Sequence, residues 1–257
     1  MIDIWLNIQA WWRRWRNITG RGAGPDLSGY KLKETLSVTN VNYGFHWYHK
    51  DDGTYLPIHP EEDWQYHNND CISIKDDLFE LALKRLPKTY QAHLYPYAKA
   101  VIESKQTYLY GYFECEMLLP EKAGQWPAFW ATAKDKWPCE IDFTEAYSRS
   151  DNYKDYRKMQ SNVHYETESG EYKKLGAKDH PMPPAAIKNK FFHVGVIWEP
   201  DRIEWWYHGY LVRVLTDKAI LKALELPMFV HINSGCQPQY QIEDSVTLFR
   251  NVKVYQR

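Results

Sequence analysis

The chain has 257 residues, with 32 lysines and arginines against 33 aspartates and glutamates, so its formal charge at neutral pH is −1. That balance offers no sequence-independent attraction to nucleic acid, and no apolar run approaches the roughly 18 residues that a membrane-spanning helix needs. Aromatic residues make up 16% of the chain, with 12 Trp and 20 Tyr; such a surplus fits a β-rich core or a surface that stacks on flat ligands.

Residues 1–25 stand apart. Ile4, Trp5, Ile8, Trp11, Trp12 and Trp15 fall on or near one helical face, and Arg13, Arg14 and Arg16 follow the apolar residues instead of preceding them. The apolar run is too short for a signal-peptide core, so no signal peptide is read. The expectation is an amphipathic helix that docks on a partner, lies on a membrane surface or packs on its own domain. A flexible linker follows at Gly20–Pro25. Residues 26–257 are read as one domain.

From Ser37 onward short strands dominate. Cys71–Ile74 and Leu78–Leu83 flank a turn at Lys75-Asp76-Asp77. Val101–Ser104 and Tyr108–Leu119 follow, the second ending at Pro120. Later strands are Phe192–Trp198, Ile203–Tyr207 with a turn at His208-Gly209, Tyr210–Leu215, Met228–Asn233 and Val246–Tyr255. One interior helix is read near Lys218–Leu224. Short strands at this spacing, separated by polar turns, predict an all-β sandwich or barrel. The four cysteines form no CxxC pair, which argues against a structural zinc site and for buried free thiols.

The sharpest constellation is Trp137-Pro138-Cys139-Glu140-Ile141-Asp142-Phe143-Thr144-Glu145. Side chains alternate along a strand, so Cys139, Ile141 and Phe143 share an apolar face while Glu140 and Asp142 share the other. Regular alternation would put Thr144 beside the two acids. A one-residue bulge between Asp142 and Glu145 swings Glu145 onto the acidic face instead. Carboxylates in a row on one strand face repel each other, which makes a purely structural origin costly. Paired carboxyls suit glycoside hydrolysis with retention, where one is the nucleophile and the other the proton donor. A solvated acidic strand face is the alternative on these residues alone.

Gly124-Gln125-Trp126-Pro127-Ala128-Phe129-Trp130 precedes the acids. Together these segments resemble glycoside hydrolase family 16, whose members carry a GxWPAxW strand followed by ExDxxE or ExDxE. Glu140-x-Asp142-x-x-Glu145 resembles the longer, bulged form, shared by laminarinases, agarases, porphyranases and carrageenases. Tyr110-Gly111-Tyr112-Phe113-Glu114, Phe192-His193 through Asp201, Ile203 through Gly209 and Val252 through Tyr255 resemble further family landmarks, from about residue 70 to the C-terminus.

The resemblance implies a β-jelly-roll (concanavalin A-like) sandwich with substrate in a groove across one sheet. It implies Glu140 as nucleophile, Glu145 as general acid/base and Asp142 as assisting carboxylate. It also implies Glu114, Trp126, Trp130, His164 and Asn233 as substrate-binding residues; Trp198, counted with them, and Trp206 are candidates for stacking on a sugar that could equally be core residues. Tyr43 to His49, with Phe45, Trp47 and Tyr48, is read as lining the far end of the groove, though no motif supports it. The implied activity is endo-hydrolysis of a β-linked polysaccharide, β-1,3-glucan first and an algal galactan second, acting outside the cell. A non-catalytic carbohydrate-binding sandwich is the rival reading. No cofactor is expected; some relatives hold a structural Ca²⁺, for which no ligand motif is present. The chain departs from the family pattern at Cys139, where glycine is usual, at Glu116 and at His208.

Overall fold

The computed structural model describes residues 20–46, 49–51, 54–56, 64–90, 92–148, 158–181, 187, 189–237 and 242–257. The expected N-terminal helix, with its cluster of tryptophans, lies outside these residues, as do Trp47 and Tyr48.

Two large sheets form the body. In the first, the strands run in the order Tyr172–Lys174, Lys158–Glu166, Cys139–Ala146, Ala128–Ala133, Met228–Asn233, Val101–Tyr108 and Val41–Tyr43, with Lys178–Pro181 also paired to Lys158–Glu166. The second is built around Gly111–Leu118, which lies between Phe192–Glu199 and Ser245–Gln256. Several neighbours, such as Ala128–Ala133 beside Met228–Asn233 and Gly111–Leu118 beside Ser245–Gln256, come from distant parts of the sequence, as crossed-over jelly-roll connections require.

Alternation explains the layering. Phe113, Cys115 and Met117 from one sheet meet Phe129, Ile141 and Phe143 from the other in one core. Phe143 lies 5.2 Å from Phe113 and 4.7 Å from Phe129, ring centre to ring centre. Each fully buried phenylalanine contributes about 1.5–3 kcal/mol relative to exposure, so this shared layer fixes which face of each sheet turns outward. All four cysteines are buried free thiols.

Most predicted elements are found close to their expected bounds. Tyr210–Leu215 and Met228–Asn233 match, and the helix spans Lys218–Ala223, capped by Asp217 accepting from the Ala219 and Ile220 amides. One strand departs from the expectation. The segment read as Tyr108–Leu119 is divided: Val101–Tyr108 ends one strand in the first sheet, and Gly111–Leu118 begins another in the second. Tyr110 takes φ 63° and Gly111 φ 138°, a left-handed pair that turns the chain between sheets.

Candidate active site

The acidic strand Cys139–Ala146 sits between Ala128–Ala133 and Lys158–Glu166. Cys139, Ile141 and Phe143 face the core. On the ladder to Lys158–Glu166, Asp142 pairs with Asn162 but Glu145 pairs with Gln160, so three steps along one strand match two along the other. This is the bulge that parity demanded. Glu140, Asp142 and Glu145 pair on their other side with Thr132, Trp130 and Ala128, and all three share the outward face.

A bulge leaves backbone groups without ladder partners. Here the second sheet supplies them from behind. Trp205 Nε1 donates to the Asp142 carbonyl at 2.9 Å, and the Tyr207 hydroxyl donates to the Phe143 carbonyl at 2.7 Å. Both aromatic side chains are fully buried. Two hydrogen bonds across the sandwich therefore hold the backbone that aims the acids.

The three carboxyl groups lie in poorly solvated surroundings. Only 12% of the Glu140 side chain and 5% of that of Asp142 is exposed. Burial, and then the neighbouring Asp142 and Glu145 charges, push the Glu140 carboxyl well above its usual range. The same burial, with the Asp142 charge second, pushes Glu145 up to about 8. The Tyr147 hydroxyl and Trp126 Nε1 donate to Glu145 Oε1 at 2.7 and 3.1 Å; both favour its anion and limit the rise. Glu145 thus holds a proton at neutral pH while fixed by two donors.

Around the acids, the expected residues separate into two groups. Trp126, Trp130, His164 and Asn233 line the acid-bearing face. Trp126 stacks on Tyr147 at 5.1 Å, and Trp130 Nε1 donates to Asn233 Oδ1 at 2.7 Å. His164 Nε2 is 3.4 Å from Asp142 Oδ2 and 3.8 Å from Glu140 Oε1, while its Nδ1 meets the Tyr172 hydroxyl at 2.7 Å.

Glu114, Trp198 and Trp206 belong elsewhere, which corrects the sequence reading. Trp198 alternates with Phe192, Val194 and Val196 and is fully buried in the core against Tyr110. Glu114 points outward from the second sheet, on the opposite side of the sandwich, where it bonds His193 at 2.9 Å and Tyr255 at 2.9 Å. Trp206 shares that side, donating to Glu204 at 2.9 Å.

Several residues at the site were not singled out in the sequence. Trp137 and Tyr172 are half exposed and lie 5.8 and 5.9 Å from the His164 ring, as a tilted and a parallel neighbour. An exposed tryptophan just before the acids was the available signal. Tyr147, two residues beyond Glu145, shares its face by simple alternation. Among the described residues, two groups bring three metal-ligating atoms within 4.8 Å of one another: Glu140, Asp142 and His164, and His46, Glu103 and His231. The first group is the acid cluster itself.

A bulged strand with three clustered carboxyls, flanked by the segment that carries Trp126 and Trp130, is the arrangement that the motifs required. The family model for glycosyl hydrolases family 16 matches residues 59–234. The chain belongs to this family. A curated relative, endo-1,3-1,4-beta-glycanase EglC of Rhizobium meliloti (strain 1021), is 23% identical over 236 residues, covering 85% of this chain and 46% of its own. The chain thus spans less than half the length of that glycanase. Among solved family 16 folds, LamA from Z. galactanivorans in complex with laminaritriose and laminaritetraose matches with a TM-score of 0.68 at 18% identity, over 92% of this chain and 99% of that one. Porphyranase B from Zobellia galactanivorans also matches with a TM-score of 0.68, at 19% identity over 93% and 98%. Likeness at such identity establishes the fold.

Proposed function

We propose that the chain is a retaining endo-acting glycoside hydrolase that cleaves a β-linked polysaccharide, with β-1,3-linked glucan as its foremost substrate. The observation that carries this reading is the bulge-aligned trio of Glu140, Asp142 and Glu145, with Glu145 held protonated near neutral pH by burial and by the Asp142 charge. In the first step Glu145 gives its proton to the leaving glycosidic oxygen as that bond breaks, while Glu140 attacks the anomeric carbon and forms a glycosyl–enzyme ester. In the second, Glu145, now a carboxylate, takes a proton from water, whose oxygen displaces Glu140 and restores the starting configuration.

Glu140 must be an anion to attack, yet its surroundings favour its neutral form. Asp142 raises Glu145 as well, so the two glutamates are coupled, and the proposed roles leave the proton on Glu145, the donor, and the charge on Glu140, the nucleophile. His164, within 3.8 Å of both carboxyls, adds a polar neighbour for a sugar hydroxyl or for the pair. Trp126 and the Trp137–Tyr172 aromatics supply flat surfaces for pyranose rings on either side of the acids.

The substrate preference draws support from the names of similar proteins, an endo-1,3-1,4-beta-glycanase and a fold bound to laminaritriose and laminaritetraose. Porphyranase B supports an algal galactan as the second reading, since its fold matches equally well. Product analysis on laminarin, mixed-linkage glucan, agarose, porphyran and carrageenan separates the two. Replacing Glu140 with Gln is expected to abolish hydrolysis while leaving oligosaccharide affinity nearly unchanged. Retained activity in that variant, or binding of these glycans by the unaltered chain without turnover, would overturn the assignment.

A further inference from the structure

Beside the acid cluster, and two strands away from it, the same outward face carries a second group that glycoside hydrolysis does not use. His231 and Glu103 are direct cross-strand partners on Met228–Asn233 and Val101–Tyr108. His231 is completely buried, and neither ring nitrogen has a hydrogen-bond partner. Trp130 stacks on the ring at 4.3 Å and Phe45 meets its edge at 5.2 Å. A buried imidazole with both nitrogens unsatisfied loses its water contacts without compensation, so an apolar side chain would serve packing better. Its polar atoms need a ligand.

Glu103 and His46 point to what that ligand is. His231 Nδ1 lies 3.8 Å from Glu103 Oε2, and 3% of the Glu103 side chain is exposed. The His46 amide donates to the same Oε2 at 3.2 Å, and His46 Nδ1 is also in contact with it. On its far side, His46 Nε2 sits 3.1 Å from the Lys134 carbonyl, which can only accept. Nε2 therefore donates to that carbonyl, and His46, Glu103 and His231 bring one potential ligand atom each within 4.8 Å of one another. A cation held by the three would give the His231 nitrogens the partner they lack. A histidine whose second nitrogen donates to a backbone carbonyl is the usual posture of a metal ligand.

We infer that His46, Glu103 and His231 form a binding site for a divalent transition-metal ion of the zinc class. Two imidazoles and one carboxylate are a donor set that such ions favour, and three protein ligands leave a coordination position for water or for a hydroxyl of a bound ligand. Adjacent strands lie about 4.8 Å apart, which puts the ion about 10 Å or more across the sheet from the acidic strand. It would pin the Phe45-His46 turn onto the sheet and stand beside Trp130 and Asn233. The sequence showed no metal motif because the three ligands come from three separate strands and turns.

The test uses the full chain, stripped with a chelator and titrated with Zn²⁺ against a chromophoric competitor, and separately with Co²⁺ followed by absorbance. One equivalent of Zn²⁺ bound at micromolar affinity or tighter is expected, with an intense four-coordinate Co²⁺ band. Binding should weaken by more than about 100-fold in His231→Ala and in Glu103→Gln, and persist in His164→Gln, which removes a ligand from the acid cluster instead. Absence of stoichiometric binding, binding that survives both substitutions, or binding lost in His164→Gln would overturn the inference. Should the two ligand variants fail to fold, the unaltered chain and His164→Gln decide it: a four-coordinate Co²⁺ spectrum in both supports the site, and its loss in either refutes it.

Discussion

The bulge that aims Glu145 rests on a hydroxyl from the opposite sheet, and removing that hydroxyl gives the most direct test of how the fold serves the site. In Tyr207→Phe the ring keeps its place in the core, but the Phe143 carbonyl loses its donor at 2.7 Å and the Gln160 carbonyl loses a weaker one at 3.3 Å. A buried group left unsatisfied costs about 1–3 kcal/mol. For a domain of this size each kcal/mol lowers Tm by about 2–4 °C, so a fall of roughly 2–12 °C is expected in calorimetry. The kinetic effect should be larger than stability alone accounts for. Glu145 is positioned by the register of this bulge, and a shift near 1 Å in a reacting group can reduce rate by up to about 10²-fold. Steady-state assays on the preferred glucan should therefore show kcat reduced about 10- to 100-fold well below the Tm, with KM nearly unchanged. The alkaline limb of the pH–rate profile should also move, because Glu145 would change its distance from Asp142. A variant that loses stability as calculated yet keeps its kcat and pH profile would refute the link between this bond and the site.

Other consequences concern the proton on Glu145. As general acid it must stay protonated, so kcat/KM should fall as pH rises through about 8; Tyr147→Phe removes a donor that favours the anion and should move that limb to higher pH. The same elevation has a thermodynamic sign. Between the ordinary carboxyl value near 4.5 and about 8 the folded state binds more protons than the unfolded state, so stability contributed by the neutral form is lost as pH rises across that window. Glu145→Gln should therefore raise Tm relative to the unaltered protein by more at pH 8 than at pH 5, and an equal difference at both would show that the site does not hold the proton. Trp137→Ala, which removes a half-exposed ring beside His164, should raise KM about 3- to 10-fold, the effect of losing about 0.5–1.5 kcal/mol of ring stacking. Its kcat should change little; a fall confined to kcat would show that the ring acts on the chemistry.

Much of the site was legible because strand parity is local. Cys139, Ile141 and Phe143 alternate with acids over a few residues, and Glu145 has the wrong parity to join them unless the chain gains a residue. The observed register gains that residue between Asp142 and Glu145. The same local logic found the hairpin around Asp76 and the Asp217-capped helix. It failed at Tyr110, where nothing in a run of strand-forming aromatics betrays that the residue will take φ 63° and send the chain into the other sheet.

That failure carries further than one boundary. Parity divides a strand's residues between inside and outside, but a sandwich has two outsides. Glu114 alternates with Phe113 and Cys115 and is outward by parity, as Asp142 is; only the pairing of its strand with Phe192–Glu199 and Ser245–Gln256 places it on the far side from the acids. Trp198 belongs to a different class, because its alternation with Phe192, Val194 and Val196 already marked it as core. Glu103 and His231, which the sequence does not single out, meet only through such pairing, Glu103 with His231 across one ladder and His231 with Trp130 across the next, and His46 joins them from the turn that ends the Val41–Tyr43 strand. Chemistry written within one strand can be read from that strand, whereas chemistry assembled across several is fixed by ladder order, a property of the closed sheet and not of any segment of the chain.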